Sequence, residues 1–194
     1  HRAFIVVLVG AFVVRLAWLL VAQPTPVSDW HAYRQLAADL IDHRQFGYPE
    51  RTSFYLPMHP FHLAVWTLIS RNALWLGVSS VVLSTGTVAL VYAVGLRMFL
   101  SRWAALIAAA LYAFLPIFVL FSPVLATEHL FVAFMLSSML LILRSGEGST
   151  AVGVLAGVFA ALAILTRGEA VFYVPALLLF VWMGSGHIAT RSRI

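Results

Sequence analysis

Long runs of apolar residues, separated by short polar connections, dominate this sequence of 194 residues. A helix needs about 20 such residues to cross the hydrocarbon core of a bilayer, and several of the runs reach that length. The pattern therefore predicts an all-α fold, a polytopic membrane helix bundle with about six spans, in a single domain over residues 1–194. The predicted spans cover about residues 4–22, 73–95, 103–121, 129–143, 151–165 and 170–183.

A segment of mixed character, residues 23–72, separates the first two spans. Its first part, VSDWHAYRQLAADLIDH (27–43), has helical periodicity, with Trp30, Tyr33 and Ala37 on one face. Its second part, PMHPFHLAVWTLIS (57–70), is short for a crossing, and as a span it would invert everything that follows. We therefore predict an outer loop that contains two interfacial helices.

Arginines in the short connections predict the orientation, because cytoplasmic loops are enriched in positive charge. The opposite short connections, FSPVLATE and TRGEA, contribute only Arg167. We therefore expect a multi-pass protein of the cell inner (plasma) membrane, with a cytoplasmic amino terminus and residues 23–72 outside. The arginines on the predicted cytoplasmic side are Arg2, Arg97, Arg102, Arg144, Arg191 and Arg193.

The composition agrees with a membrane protein and narrows its chemistry. Hydrophobic residues make up 62% of the chain and charged residues 10%, with a mean hydropathy of +0.97. The absence of cysteine excludes disulfides, thiolate metal sites and cysteine nucleophiles. The net charge of +5 comes from arginines scattered along loops rather than gathered in a stripe, so nucleic acid is not a predicted partner.

Asp29 is the first candidate for chemistry, because it directly follows the first span on the predicted outer side. Its alternative role is structural: Ser28 or Asp29 would cap the following helix and favour its dipole. A carboxylate that faced a cavity between helices would instead have a raised pKa and serve as a base. The sequence leaves both roles open.

Glu128, in SPVLATEHL, is the second candidate, because it is the only acidic residue between Glu50 and Glu147. It lies at the outer entrance of the fourth span, where an acid is a functional candidate by default. The alternative is a favourable charge at a helix amino terminus, with Thr127 as the cap. Asp29 and Glu128 are predicted on the same side of the membrane. They can divide catalytic roles or jointly hold a divalent cation, Mg²⁺ or Mn²⁺; no other cofactor is predicted.

Arg167, in TRGEA, is the third candidate, because it breaks the positive-inside pattern and needs a compensating anion. That anion is either Glu169 or a substrate phosphate, which a guanidinium binds as a fork. Arg51 is a second, weaker phosphate candidate. The remaining candidates for contacts to an acceptor, or to the catalytic residues themselves, are Glu50, Tyr33 and His59.

The order of these features resembles the amino-terminal part of the GT-C superfamily of membrane glycosyltransferases. Its members include the protein O-mannosyltransferases, the lipid A aminoarabinose transferase and the oligosaccharyltransferase catalytic subunit. These begin with one span, followed by an outer loop with an essential acid. Asp29 in SDWHAY matches that acid, and YLPMHPFHLAVWTLI resembles the proline-rich interfacial segment. Glu128 matches the second outer-loop acid, and Arg167 takes the basic position between two later spans.

The resemblance implies transfer of a sugar from a polyprenyl-phosphate donor to an acceptor hydroxyl outside the membrane, with inversion. It implies that Asp29 deprotonates or orients the acceptor hydroxyl, and that Arg167, with Arg51, binds the lipid phosphate. Glu128 would position Asp29 or the acceptor, or share a cation with Asp29. The expected partners are this donor, the bilayer and a glycan, lipid or protein acceptor. Family members usually have several hundred residues and more spans. We therefore expect a fragment or a reduced form of a longer enzyme, with a partner chain completing the site.

Two alternatives to a transferase remain open at this point. The first is a transporter for a lipid or small solute, which would contain inverted repeats and spans broken by glycine or proline. The second is a non-catalytic membrane subunit that keeps the fold without the activity, because a retained acid can simply cap a helix.

Overall fold

The computed structural model describes residues 2–25, 28–48, 51–52, 54–99, 101–145 and 150–179. The all-α prediction is confirmed, since helices account for most of the described residues. A short antiparallel pairing of β1 (Gly47–Tyr48) with β2 (Arg51–Thr52) interrupts the outer loop. The helices are α1 (Arg2–Ala22), α2 (Asp29–Asp42), α3 (Met58–Thr67), α4 (Ala73–Phe99), α5 (Arg102–Phe114), α6 (Pro116–Phe121), α7 (Thr127–Ser145), α8 (Thr150–Thr166), a 3₁₀ helix (Gly168–Phe172) and α9 (173–179).

Three of these helices are long and apolar enough to cross a membrane by themselves: Arg2–Ala22, Ala73–Phe99 and Thr127–Arg144. They correspond to the first, second and fourth predicted spans. The other predicted spans correspond to shorter apolar helices, at Arg102–Phe114, Thr150–Thr166 and Gly168–Leu179. The protein is thus a multi-pass membrane protein with an α-helical bundle.

The third predicted span, residues 103–121, is not one continuous helix. It divides at Leu115, whose ψ of 128° is extended, into α5 and α6. Pro116 explains the division, because proline has no N–H and its ring clashes with the carbonyl four residues earlier. Proline is well tolerated at the first position of the new helix, where it lies here. Hydropathy alone does not detect this break.

Arg15, a charge in the middle of the first span, binds the carboxyl end of α5. Its Nη1 donates to the carbonyl of Ala113 at 2.8 Å, and its Nη2 donates to that of Tyr112 at 3.0 Å. Both carbonyls belong to the last turn of α5, where no intrahelical N–H is available and the helix dipole is negative. The side chain is completely buried. Arg15 therefore acts as a cap supplied by another helix.

The centre of the bundle is α4, which packs against α1, α5 and α7. Small residues permit close approach between these helices, as is usual in membranes. A Cβ on Gly77 would lie 2.6 Å from Leu19, and one on Gly95 would lie 3.1 Å from Ala105. Three buried hydroxyl groups of α4, those of Ser79, Ser84 and Thr87, donate to carbonyls of their own helix. Substitutions with larger side chains are therefore expected to separate α4 from its neighbours.

The helices α2 and α3 form a small apolar layer at one end of the bundle. Leu63 and Ala64 of α3 pack with Ala37 of α2, together with Leu76 and Leu125. The opposite face of α3 is apolar but exposed, with Phe61, Val65, Leu68 and Ile69 on or just beyond the helix. A ten-residue helix with apolar residues on both faces suits a position in the membrane interface, with one face toward protein and the other toward lipid.

We expect Arg15→Leu to destabilise the protein, because it leaves the carbonyls of Tyr112 and Ala113 buried without a donor. Each unsatisfied group costs about 1–3 kcal/mol. Arg15→Lys should be intermediate, since an ammonium group cannot match the fork of a guanidinium. Thermal unfolding in detergent, followed by tryptophan fluorescence, measures the effect. Val13→Leu, on the exposed side of α1, is the control. Equal melting temperatures for Arg15→Leu and the wild type would contradict the capping role.

Candidate active site

The largest described cavity, of about 530 Å³, lies at the end of the bundle where α2 begins. Its wall is assembled from four parts of the chain: the first turn of α2, the loop before α3, the start of α7 and the connection from α8 to the 3₁₀ helix. Its volume lies within the range of roughly 300–1,000 Å³ usual for small-molecule sites. The lining side chains used below are those of Asp29, Trp30, Tyr33, Tyr55, Glu128 and Arg167, together with Thr127 and Glu169.

Asp29 is the first residue of α2 and lines this cavity. Its Oδ1 accepts a hydrogen bond of 2.9 Å from the Tyr55 hydroxyl. Ser28, the residue before it, makes no side-chain capping hydrogen bond. The carboxylate is therefore held from outside its own helix, by a phenol from the loop that precedes α3. The other oxygen, Oδ2, is not used in this bond.

Tyr33 follows Asp29 by one helical turn and lines the same cavity. Its ring meets that of Tyr55 edge-on at 5.1 Å and that of His59 edge-on at 4.9 Å. Burial raises the pKa of Tyr33 to about 12, with a smaller contribution from the negative charge of Asp29. Tyr33 is thus a neutral hydrogen-bond donor at physiological pH.

His59 lies behind Tyr33 rather than in the cavity wall. It is 1% exposed, and burial lowers its pKa to about 3. The neighbouring His62 has a pKa lowered to about 4 by the same cause. These neutral imidazoles therefore contribute packing and not charge. His59 is not among the lining residues of the cavity. Its ring packs against that of Tyr33 instead.

Glu128 reaches the cavity from the first turn of α7 and pairs with Arg167. Nη1 of Arg167 donates to Oε1 of Glu128, and also to the Thr127 hydroxyl at 3.3 Å. The two partners are 39 residues apart in sequence, so the pair joins α7 to the end of α8. Glu128 also keeps the favourable position of an acid at a helix amino terminus.

Arg167 has a second carboxylate partner, Glu169, whose Oε2 accepts from Nε at 2.9 Å. This hydrogen bond is the main cause of a raised pKa for Arg167 and of a lowered pKa for Glu169. The two carboxylates differ in exposure and in their distance from Arg167 along the chain. Glu169 is 70% exposed and only two residues away, whereas Glu128 belongs to another helix. The expected partner Glu169 is therefore present, and Glu128 is a second carboxylate partner that the sequence did not predict.

The cavity has a negative balance of formal charge. Its described lining contains three carboxylates, on Asp29, Glu128 and Glu169, and one guanidinium, on Arg167. Among the described lining residues, carboxylates already occupy the guanidinium of Arg167. An anionic ligand that binds its Nε has to displace the carboxylate of Glu169.

The other predicted site residues are described in part or not at all. Glu50 lies outside the described residues, and only the backbone of Arg51, in β2, is described. A role for Tyr55 in holding Asp29 was not predicted, because a loop tyrosine near a membrane is typical of an interface anchor. The one signal in the sequence was its place in the same outer loop as Asp29.

A divalent cation at Asp29 and Glu128 fits this geometry poorly. Within the described ranges, no group of three or more His, Asp or Glu side chains could hold a metal ion. Oxygens of both carboxylates already accept hydrogen bonds, from a phenol on Asp29 and from a guanidinium on Glu128. A cation would have to compete with Arg167 for Glu128, and the reaction proposed below uses no metal step.

Comparison with known families matches residues 52–193 to the model for dolichyl-phosphate-mannose-protein mannosyltransferases. The match includes Tyr55, Glu128 and Arg167 and begins after Asp29. Neither a search of curated proteins nor a search of solved structures found a match. Because the matched region covers most of the sequence, this chain belongs to the dolichyl-phosphate-mannose-protein mannosyltransferase family and has the membrane-embedded helical architecture expected of such a glycosyltransferase.

Proposed function

We propose that this protein transfers a sugar from a polyprenyl-phosphate donor to an acceptor hydroxyl, with inversion, at the outer face of the inner membrane. One observation carries the proposal. Asp29, Glu128 and Arg167, which are far apart in sequence, line a single cavity at one end of an apolar helix bundle. A helical scaffold without a reaction has no need to bring these three groups together.

Arg167 is proposed to bind the phosphate of the donor. Its Nε partner Glu169 is exposed and close in sequence, so its carboxylate can turn into water when a phosphate arrives. The phosphate then replaces the Glu169 carboxylate on the same guanidinium, so the net charge around Arg167 changes little. Its Nη2 takes no part in the hydrogen bonds to Glu128 and Glu169 and is available for a forked contact. Glu128 keeps the guanidinium in position during this exchange.

Asp29 is proposed to act as the general base. With Oδ1 held by Tyr55, the free oxygen Oδ2 accepts the proton of the acceptor hydroxyl. The acceptor oxygen forms a bond to the anomeric carbon as the bond from that carbon to the phosphate oxygen breaks. The electron pair leaves with the polyprenyl phosphate, whose growing charge Arg167 stabilises. A single displacement of this kind inverts the anomeric configuration.

We expect Asp29→Asn to reduce transfer about 10²–10⁴-fold, the usual contribution of a positioned general base. Transfer from a radiolabelled polyprenyl-phosphate sugar, by the protein in nanodiscs, measures the loss. Asp39→Asn is the matched control, because Asp39 lies on the same helix and pairs with His43 instead of lining the cavity. Full activity of Asp29→Asn would refute the role of the base. A folded wild-type protein without any turnover would favour the non-catalytic subunit.

The proposed exchange of anions at Arg167 predicts two substitutions with opposite effects. Glu169→Gln keeps an acceptor for Nε but removes the competing charge, so the KM for the donor should fall a few-fold. Arg167→Gln should raise the donor KM and reduce kcat about 10²–10³-fold, the usual cost of removing one group that stabilises developing charge.

The same donor titration tests both variants. Asp42→Asn is the control, because Asp42 pairs with Arg71 away from the cavity. An increase of the donor KM in Glu169→Gln would mean that Glu169 holds Arg167 in place and does not compete with the phosphate.

A further inference from the structure

A second cavity, of about 270 Å³, lies beside the first, where α1 ends and α4 begins. Its floor is formed by the buried side chains of Leu19, Pro123 and Leu125. Around this apolar floor lie the polar side chains of Gln23, Thr25 and Asn72. A cavity with an apolar base and a few polar groups at its edge is the usual form of a small-molecule site.

Among the described residues, the lining of the second cavity contains no ionisable side chain, in contrast to that of the first. Its polar side chains can donate hydrogen bonds to the hydroxyl groups of a ligand and accept hydrogen bonds from them. Asn72 uses Oδ1 to cap α4 at the N–H of Leu74, at 2.9 Å, and this leaves its Nδ2 as a donor. Gln23 uses Nε2 on the carbonyl of Leu20, at 3.1 Å, and this leaves its Oε1 as an acceptor. The Thr25 hydroxyl can do both.

Trp30 lines both cavities and directly follows Asp29 in α2. Asp29 itself lines only the first cavity, so a ligand in the second cavity would lie beside the helical turn that carries the proposed base. An indole face also packs well against the apolar C–H face of a sugar ring. The third described cavity, near Arg34 and Arg71, shares no lining residue with the first.

We propose that the second cavity binds one uncharged sugar ring of the acceptor and presents its hydroxyl to Asp29. This inference rests on the proposed function and adds the chemical class of the acceptor. A volume slightly below the range of about 300–1,000 Å³ for whole ligand sites suits a single ring. A peptide acceptor would instead need an extended groove with backbone partners.

The test uses transfer to a panel of neutral methyl glycosides, with a neutral peptide containing serine and threonine as the alternative acceptor. Thr25→Val preserves shape and removes the hydroxyl group. Asn72→Asp keeps the oxygen that caps α4 and removes the amide donor. Each lost hydrogen bond should raise the KM for the best glycoside about 3- to 10-fold, with a smaller effect on the donor KM. Thr150→Val, at the exposed start of α8 and outside the lining of both cavities, should change neither value.

An unchanged acceptor KM in both cavity variants would overturn the acceptor site while leaving sugar transfer intact. A peptide that is used in preference to every glycoside would overturn the choice of a sugar ring. If the wild type consumes no donor, the proposed function fails. Binding of the glycosides, measured by saturation-transfer NMR, then tests the acceptor site separately. Binding that is weakened by Thr25→Val and Asn72→Asp supports the cavity, and absence of binding to the wild type overturns it.

Discussion

The contact between Arg15 and the end of α5 is the constraint on which the arrangement of this bundle depends. An arginine at the centre of a bilayer costs about 2.5–3.5 kcal/mol on insertion scales. Hydrogen bonds that involve a charged group contribute about 1.5–3 kcal/mol each. The two bonds to α5 and a third to the carbonyl of Ala11 therefore offset that cost. Pro116 breaks the helix inside an apolar segment. Arg15 then donates hydrogen bonds to the carbonyls of Tyr112 and Ala113, which the break leaves without intrahelical donors.

The break at Pro116 has a consequence for the candidate site, because α6 leads directly into the turn before Glu128. Two contacts fix the carboxyl end of this short helix. Trp18 of α1 donates from Nε1 to the carbonyl of Leu120 at 3.0 Å, and the ring of His129 lies 3.0 Å from the carbonyl of Phe121. The position of Glu128 is thus set by contacts made within the bundle and not by loop conformation alone.

Hydropathy and charge were sufficient to predict the helical bundle, a short separate helix within residues 57–70 and the positions of Asp29 and Glu128 at the starts of helices. These follow from physical rules that act locally, such as the length needed to cross a bilayer and the preference of acids for helix amino termini. The same rules require a partner for Arg15, since a charge in lipid is expensive, and that partner is α5. The acids at positions 29, 128 and 169 all lie in first helical turns.

What the sequence did not reveal depends on contacts between distant segments. A single proline in an apolar run barely changes the mean hydropathy, so the division at Leu115 was missed. Tyr55 has no distinguishing pattern, because its hydrogen bond is to the Asp29 carboxylate, 26 residues away in sequence. Glu169 was weighed against a phosphate as the partner of Arg167. The geometry instead suggests that the two bind in succession, since an exposed carboxylate occupies the guanidinium that a phosphate would need.

Two exposed aromatic side chains favour a position of the cavity close to the acyl chains of the lipid. Phe54 lines the cavity and is 95% exposed, and Phe172, just beyond Gly168 in the 3₁₀ helix, is 80% exposed. Such exposure is unfavourable in water and favourable at the level of the acyl chains. In the proposed reaction, a polyprenyl donor brings its phosphate to Arg167 while its tail stays in the bilayer, and a water-soluble acceptor enters from the other side. Two cavities of different charge, one on either side of Trp30, suit two substrates that arrive from two different phases.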